Sequence, residues 1–258
     1  MTEATTPTSA PRQFFTAQGL QKRFGQQVVL EDISLSFAQG SVSGIMGPNG
    51  AGKSTCFNVL TGVYRPDRGK VVFDGEDITG LNAQRIARKG ISRSFQIMSL
   101  FDEFSAIENV MVALPEVRSG LTRPLWDTRA DSSVMDRAAA ILKSVGLAGH
   151  EHTQAASLSY GQRRALEIGV ALAPDPRLVF LDEPTQGMGA DGRVRLAELV
   201  QSLRERYTLV IIEHDMDFLF RLADRISVIH WGQVIAEGTP EELRSNPWVR
   251  VSDLGSAG

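Results

Sequence analysis

Residues 47–55 read Gly-Pro-Asn-Gly-Ala-Gly-Lys-Ser-Thr, and no other stretch limits the fold of this chain so sharply. They fill the spacing G-x-x-x-x-G-K-[ST] and add a second hydroxyl at Thr55. Average composition yields such a match by accident in roughly one chain of this length in a hundred. The flanks tighten the reading, because 41–46 is a short apolar-leaning strand and 54–60 can turn helical. Gly47, Gly50 and Gly52 let the backbone bend until successive N–H groups face inward, and the helix that follows brings its positive end to the same spot. Such a loop cradles phosphate oxygens. Lys53 is expected to add a mobile positive charge for the β and γ phosphates, and the Ser54 hydroxyl is a hard oxygen suited to magnesium. Gly47, Pro48, Asn49, Gly50, Ala51, Gly52, Lys53, Ser54 and Thr55 are thus expected to bind a nucleoside triphosphate with its divalent metal. Read alone, the loop fits a kinase, a GTPase or a motor.

The rest of the chain supplies a sheet around this loop. Residues 33–37 alternate apolar and polar side chains as a half-buried strand does, Gln39-Gly40 forms a turn, and 71–75 reads as another strand and turn. Further on, 178–181, 209–212 and 226–229 are unbroken apolar runs separated by segments of helical spacing such as 194–204. Continuous apolar strands alternating with helices predict a buried parallel sheet of α/β type. In between, 105–113, 131–145 and 160–172 have helical spacing, which predicts an inserted α-helical subdomain over approximately 99–172. The 114–127 stretch interrupts it with loop-like residues, Trp126 among them, to which the pattern assigns no role. Residues 1–12 are rich in Thr, Pro, Ala and Ser without the apolar segment of a secretory signal, and read as a disordered tail.

Composition removes several function classes. A net charge of -3 argues against a broad basic surface for nucleic acid. No run approaches the 18 or so apolar residues that a membrane span needs. Cys56 is the only cysteine, so an internal disulfide is impossible and the cytosol is the natural compartment.

Three further segments carry chemistry. The run 178–181 ends in Asp182-Glu183-Pro184, which puts two carboxylates at the C-terminal end of a buried strand, the edge where the phosphate loop also emerges. Pro184 is expected to keep Glu183 extended. Asp182 is then suited to hold magnesium through water, and Glu183 to polarise an attacking water as general base. Alone, Asp-Glu-Pro is usually a strand-ending turn; the phosphate loop gives it this reading. The run 209–212 delivers Glu213-His214 to the same edge, where a neutral imidazole can bond the γ-phosphate or the attacking water. Standing alone, a histidine before Asp215 would cap a helix or be exposed. His150 and His152 lie without Cys or further His nearby and do not suggest a metal site. Ser159 with Gln162 forms a capping-box pattern, and with Gly161 the same helix start can bind an anion. Since one chain already holds a phosphate loop, a second anion site suggests completion by another subunit.

In this order and spacing, the phosphate loop, Leu-Ser-Tyr-Gly-Gln at 158–162, Leu-Val-Phe-Leu-Asp-Glu-Pro at 178–184 and Ile-Ile-Glu-His-Asp at 211–215 resemble the ATPase subunit of an ABC transporter. The resemblance spans about residues 13–245. It implies an α/β P-loop NTPase with a RecA-like parallel-sheet core, an N-terminal antiparallel β-subdomain and the inserted α-helical subdomain, forming one ATPase domain over 13–258 with a C-terminal extension at 231–258. It implies ATP and Mg2+ as cofactors, and a head-to-tail dimer in which Ser159, Gly161 and Gln162 of one subunit close over ATP held by the other. Phe24, in Lys-Arg-Phe-Gly, matches an aromatic that stacks on adenine, although an aromatic before glycine is more often core. Gln96 matches a loop glutamine that contacts metal and attacking water. The implied catalytic set is Glu183, His214 and Gln96, and the implied metal set is Ser54, Gln96 and Asp182.

The implied partners are transmembrane permease subunits, a second ABC ATPase subunit and a substrate-binding protein, with no nucleic acid. The implied location is the cytoplasmic face of the cell membrane. Residues 93–114, 158–168, 182–189, 211–219, 237–243 and 246–249 are similar to importer ATPases of the branched-chain amino acid and related amide or urea class. Three positions depart from the family pattern. Tyr160 replaces a glycine, Gly189 stands where most members have aspartate, and 251–254 differs from the subgroup's Ala-Tyr-Leu. The alternative, a soluble ABC ATPase acting on ribosomes or in DNA repair, is disfavoured by the single cassette, the absence of long heptads and the slightly acidic balance.

Overall fold

Alternating polarity and glycine turns fold the first segment into an antiparallel sheet. The computed structural model describes residues 13–94, 100–119 and 132–247. Gln96, Trp126, the 1–12 segment and the 251–254 departure lie outside them. Strands β1 (Gln13–Phe24) and β2 (Gln27–Ala38) pair antiparallel, β1 also pairs with β4 (Arg68–Phe73), and β4 with the short β5 (Glu76–Asp77). The sheet order is β2-β1-β4-β5. Between β2 and β4 the chain crosses into a second sheet as β3 (Val42–Met46), and the phosphate loop leads from there into helix α1 (Lys53–Leu60).

The rest of the chain alternates helices with buried strands. It forms α2 (Ala83–Arg88), β6 (Ile91–Arg93), α3 (Ala106–Met111), α4 (Pro115–Ser119), α5 (Ser132–Ser144) and α6 (Tyr160–Leu172). Then come β7 (Leu178–Asp182), α7 (Ala190–Leu203), β8 (Thr208–Ile212), α8 (Met216–Leu222), β9 (Arg225–His230), β10 (Gln233–Gly238) and α9 (Pro240–Arg244). The second sheet runs β10-β9-β3-β8-β7-β6, parallel throughout except for β10, which pairs antiparallel with β9. Thus the chain beyond 231 begins as an edge strand of the main sheet. The 114–127 stretch opens with α4 rather than a loop.

Every residue of β3, β7 and β8 is buried, which explains the unbroken apolar runs of β7 and β8. Side chains alternate across the sheet, so each run feeds two cores. Leu178, Phe180, Val210 and Ile212 join Phe15, Phe37 and Phe57 on the side facing the antiparallel sheet. Val179, Leu181, Leu209 and Ile211 join Val110, Leu142 and Leu166 of α3, α5 and α6 on the other side. The helical insertion therefore shares a core with the parallel sheet. Phe180 is the aromatic hub of the first core, edge-on to Phe15 at 5.6 Å, Phe57 at 6.0 Å and Phe37 at 6.2 Å.

Register brings three loops side by side. Asp182 pairs with Ile212, and Ile212 with Ile45. One step further, the Glu183 N–H donates to the Ile212 carbonyl at 2.8 Å and the Glu213 N–H to the Ile45 carbonyl at 3.0 Å. The loops after β3, β7 and β8 consequently leave the sheet at one level.

Candidate active site

The phosphate loop is shaped by what lies behind it. Gly47 passes so close to β9 that an added Cβ would sit 2.0 Å from the Ile229 carbonyl oxygen, so no other residue fits. Gly52, at φ 99, turns the chain into α1. Lys53 is 5% exposed, and its ammonium donates to the carbonyls of Gly47 at 2.7 Å and Pro48 at 3.0 Å. It is held rather than mobile, contrary to the sequence expectation. Burial pulls its pKa down from 10.5, while Glu183, Asp182 and Glu213 oppose the shift. Ser54 opens onto the same cavity, of about 740 Å³, as Asn49, Gly50, Glu183, Thr185 and His214.

Glu183 departs from expectation in its backbone. Pro184 does not keep it extended; its φ is 42, in the left-handed region. A non-glycine residue there costs on the order of 1–3 kcal/mol and persists only when its surroundings dictate it. The surroundings here are hydrogen bonds. The Glu183 N–H is taken by Ile212, while the buried Arg164 of α6 donates to the carbonyls of Asp182 (2.8 Å), Glu183 (2.9 Å) and Pro184 (3.2 Å). Arg164 also pairs with buried Glu167 at 2.6 Å.

Asp182 is 4% exposed. Burial, then the neighbouring Glu183, pushes its pKa from 3.8 to about 6 against the pull of Arg93 and Arg164. The folded chain therefore binds this proton more tightly than the unfolded chain. Its ionised form is a destabilising charge above pH 6 that fades as the pH falls toward 4. Asp182→Asn is expected to raise the stability of the nucleotide-free chain at pH 7 by about 1–3 kcal/mol. Thermal melts check this: the gain should shrink on acidification from pH 7 to pH 4, and an equal or lower Tm at pH 7 contradicts the burial account.

Glu213 was not singled out from sequence, yet it organises the third loop. Its side chain is fully buried, and its two oxygens accept from the Thr185 N–H (2.8 Å) and hydroxyl, and from the N–H groups of His214 (3.0 Å) and Asp215 (3.3 Å). One carboxylate thus ties the loop after Glu183 to the turn bearing His214. The only sequence signal is an acid placed directly after an apolar run. His214 itself is 53% exposed, with Nδ1 3.8 Å from Glu183 Oε1 and 3.7 Å from Glu213 Oε2. These separations exceed hydrogen-bond length. The imidazole faces the cavity beside the carboxylate without being fixed by it.

The remaining candidates sit elsewhere. Ser159 caps α6 with both capping-box bonds, its Oγ accepting from the Gln162 N–H and Gln162 Oε1 from the Ser159 N–H at 2.9 Å. Ser159, Gly161 and Gln162 line a separate cavity of about 1070 Å³, away from the phosphate loop of the same chain. Phe24 is half-exposed, edge-to-face with Tyr64 at 5.2 Å, and does not line the phosphate-loop cavity. It is not a core residue. Cys56 is buried in α1, which pushes its thiol up to about 12 and leaves it unreactive. Among the described residues no group of three or more His, Cys, Asp or Glu stands together as a metal cluster.

Residues 30–186 match the family described as ABC transporter, and residues 233–251 match one described as branched-chain amino acid ATP-binding cassette transporter. The chain is 41% identical over 246 residues to the high-affinity branched-chain amino acid transport ATP-binding protein LivG of Salmonella typhimurium, covering 93% of this chain and 96% of LivG. Among solved structures, the ADP conformation of MJ1267, an ATP-binding cassette of an ABC transporter, matches with a TM-score of 0.84 and 31% identity over 95% of this chain and 99% of that one. The dimeric structure of the cassette MJ0796 in a post-hydrolysis state with ADP and Pi matches with a TM-score of 0.74 and 25% identity, over 88% and 99% of the two chains.

Proposed function

We propose, because this chain belongs to the ABC transporter family, that it hydrolyses MgATP at a head-to-tail dimer interface to drive import of branched-chain or related amino acids through separate membrane subunits. The observation that carries the reading is the convergence of the phosphate loop, Glu183 and His214 on one cavity. Lys53 and the inward N–H groups of 47–55 hold the β and γ phosphates. Phe24 stacks on adenine. Glu183 takes a proton from the attacking water while His214 bonds the γ-phosphate.

The donor set fits magnesium. A hydroxyl at Ser54 and a buried carboxylate at Asp182 are hard oxygen donors, too few for an all-protein cage, and Mg2+ usually keeps waters and phosphate oxygens. Gln96, outside the described residues, would complete the set. The bound ion would neutralise charge developing on the phosphate oxygens.

Ser159, Gly161 and Gln162 complete the partner's site, which agrees with their opening onto a cavity of their own. The partner is an identical or homologous cassette. No helix among the described residues is long and apolar enough to cross a membrane, so transport falls to permease subunits, with this chain on their cytoplasmic face and a substrate-binding protein delivering cargo. The cargo class rests on the likeness to LivG and on the match at 233–251.

The test is to co-express the chain with its membrane subunits and rebuild them in proteoliposomes. Valine, leucine or isoleucine uptake should require MgATP and the binding protein. Lys53→Ala should weaken MgATP binding by about 10- to 100-fold in calorimetry, the loss of a charged hydrogen-bond donor. A chain that never co-purifies with permeases, or whose ATP affinity ignores Lys53, overturns the proposal.

A further inference from the structure

The loop after Glu183 is a shared wall. Gly187 and Met188 line both the phosphate-loop cavity and the cavity onto which Ser159 and Gly161 open. Tyr160, the first residue of α6, reaches this wall: its hydroxyl donates to the Gln186 carbonyl at 2.5 Å. Its ring end lies against Gly187, which has φ 75 and where an added Cβ would stand 2.9 Å from the Tyr160 hydroxyl. Tyr160 is 43% exposed, so its ring does not serve to fill a core. Residues 160 and 164 share one face of a helix. Arg164 binds the carbonyls of Asp182, Glu183 and Pro184. The start of α6 therefore grips the segment 182–186 at both ends, and a displacement of that helix start is transmitted to Glu183.

We propose that Tyr160 is a positioning residue that couples the two ATP sites of the dimer. When the partner's triphosphate docks on the α6 start of this chain, the Tyr160–Gln186 bond relays the contact to the loop that sets this chain's own Glu183. The proposal rests on the dimer reading above.

The experiment uses the full chain assembled with its membrane subunits, with hydrolysis followed against MgATP concentration. Wild type should be cooperative. Tyr160→Phe keeps the ring and removes the donor; it should bring the Hill coefficient to one and lower kcat by about 2- to 10-fold, the worth of one hydrogen bond, while KM and Tm stay put. Gly187→Ala, strained at its positive φ, should act in the same direction, and the double variant should be no worse than the stronger single one, as expected for residues in one unit. A Tm drop that accounts for the lost rate would mark a merely structural role and sink the proposal. So would Tyr160→Phe retaining wild-type cooperativity and kcat. A wild type with two cassettes by native mass spectrometry but no cooperativity overturns the relay alone, whereas an assembly with one cassette overturns the dimer reading itself.

Discussion

Glu183→Gln is expected to bind MgATP as the wild type does and to hydrolyse it about 10²–10⁴-fold more slowly, the usual range for loss of a general base. The amide keeps the size of the carboxylate but cannot accept a proton from water. The backbone at 183 is dictated by main-chain bonds from Ile212 and Arg164, which glutamine leaves in place, so the left-handed turn survives. Binding and turnover should therefore separate. With MgATP the variant should accumulate as a dimer, read as a doubling of mass by light scattering, because the step that releases the two subunits is blocked. Residual hydrolysis above a tenth of the wild-type rate would falsify the base assignment. An absent dimer with intact binding would count against the head-to-tail sandwich.

Arg164→Ala has the largest expected effect on stability, a loss of about 3–5 kcal/mol. The Arg164 and Glu167 side chains are only 4% and 6% exposed, so truncation leaves the Glu167 carboxylate buried without its guanidinium and strips a donor from three carbonyls of 182–184. Denaturant titration measures the loss. Arg164→Leu with Glu167→Leu removes both charges and should recover part of it, since an apolar pair tolerates burial that a lone charge does not. Recovery should be incomplete, because the three carbonyls still lack their donor. A change under about 1 kcal/mol in the single variant would mean that the pair behaves like a surface ion pair.

Much of the fold was legible because it is local. Four apolar residues at 178–181 followed by two acids predicted a buried strand with carboxylates at its C-terminal end, and β7 runs from Leu178 to Asp182. Ser159 and Gln162 predicted a capped helix, and both capping-box bonds form. The long apolar runs predicted a parallel sheet, which the family and the fold bear out. Misreadings arose where hydrogen bonds that no residue pattern encodes set the local state. Lys53 was expected to be mobile, but the loop curls back so that two of its own carbonyls hold the ammonium. Pro184 biases its predecessor toward extended backbone, yet the bonds from Ile212 and Arg164 outweigh that preference at Glu183. Phe24 could have been core; only the fold leaves it half-exposed beside Tyr64.

By itself the sequence determined the phosphate loop, the buried apolar strands alternating with helices in the second half of the chain, and which strand ends carry acids and a histidine, because periodicity and turn residues encode these within a few positions. Only the tertiary structure decided how the three loops are locked together. Arg164 meets the Asp182 carbonyl across 18 residues, Tyr160 meets Gln186 across 26, and Glu213 meets Thr185 across 28. No local pattern links such partners. They meet because the register of β7 on β8 and the seating of α6 over the sheet bring them to one edge, where a buried charge or carbonyl must find a partner or be expelled.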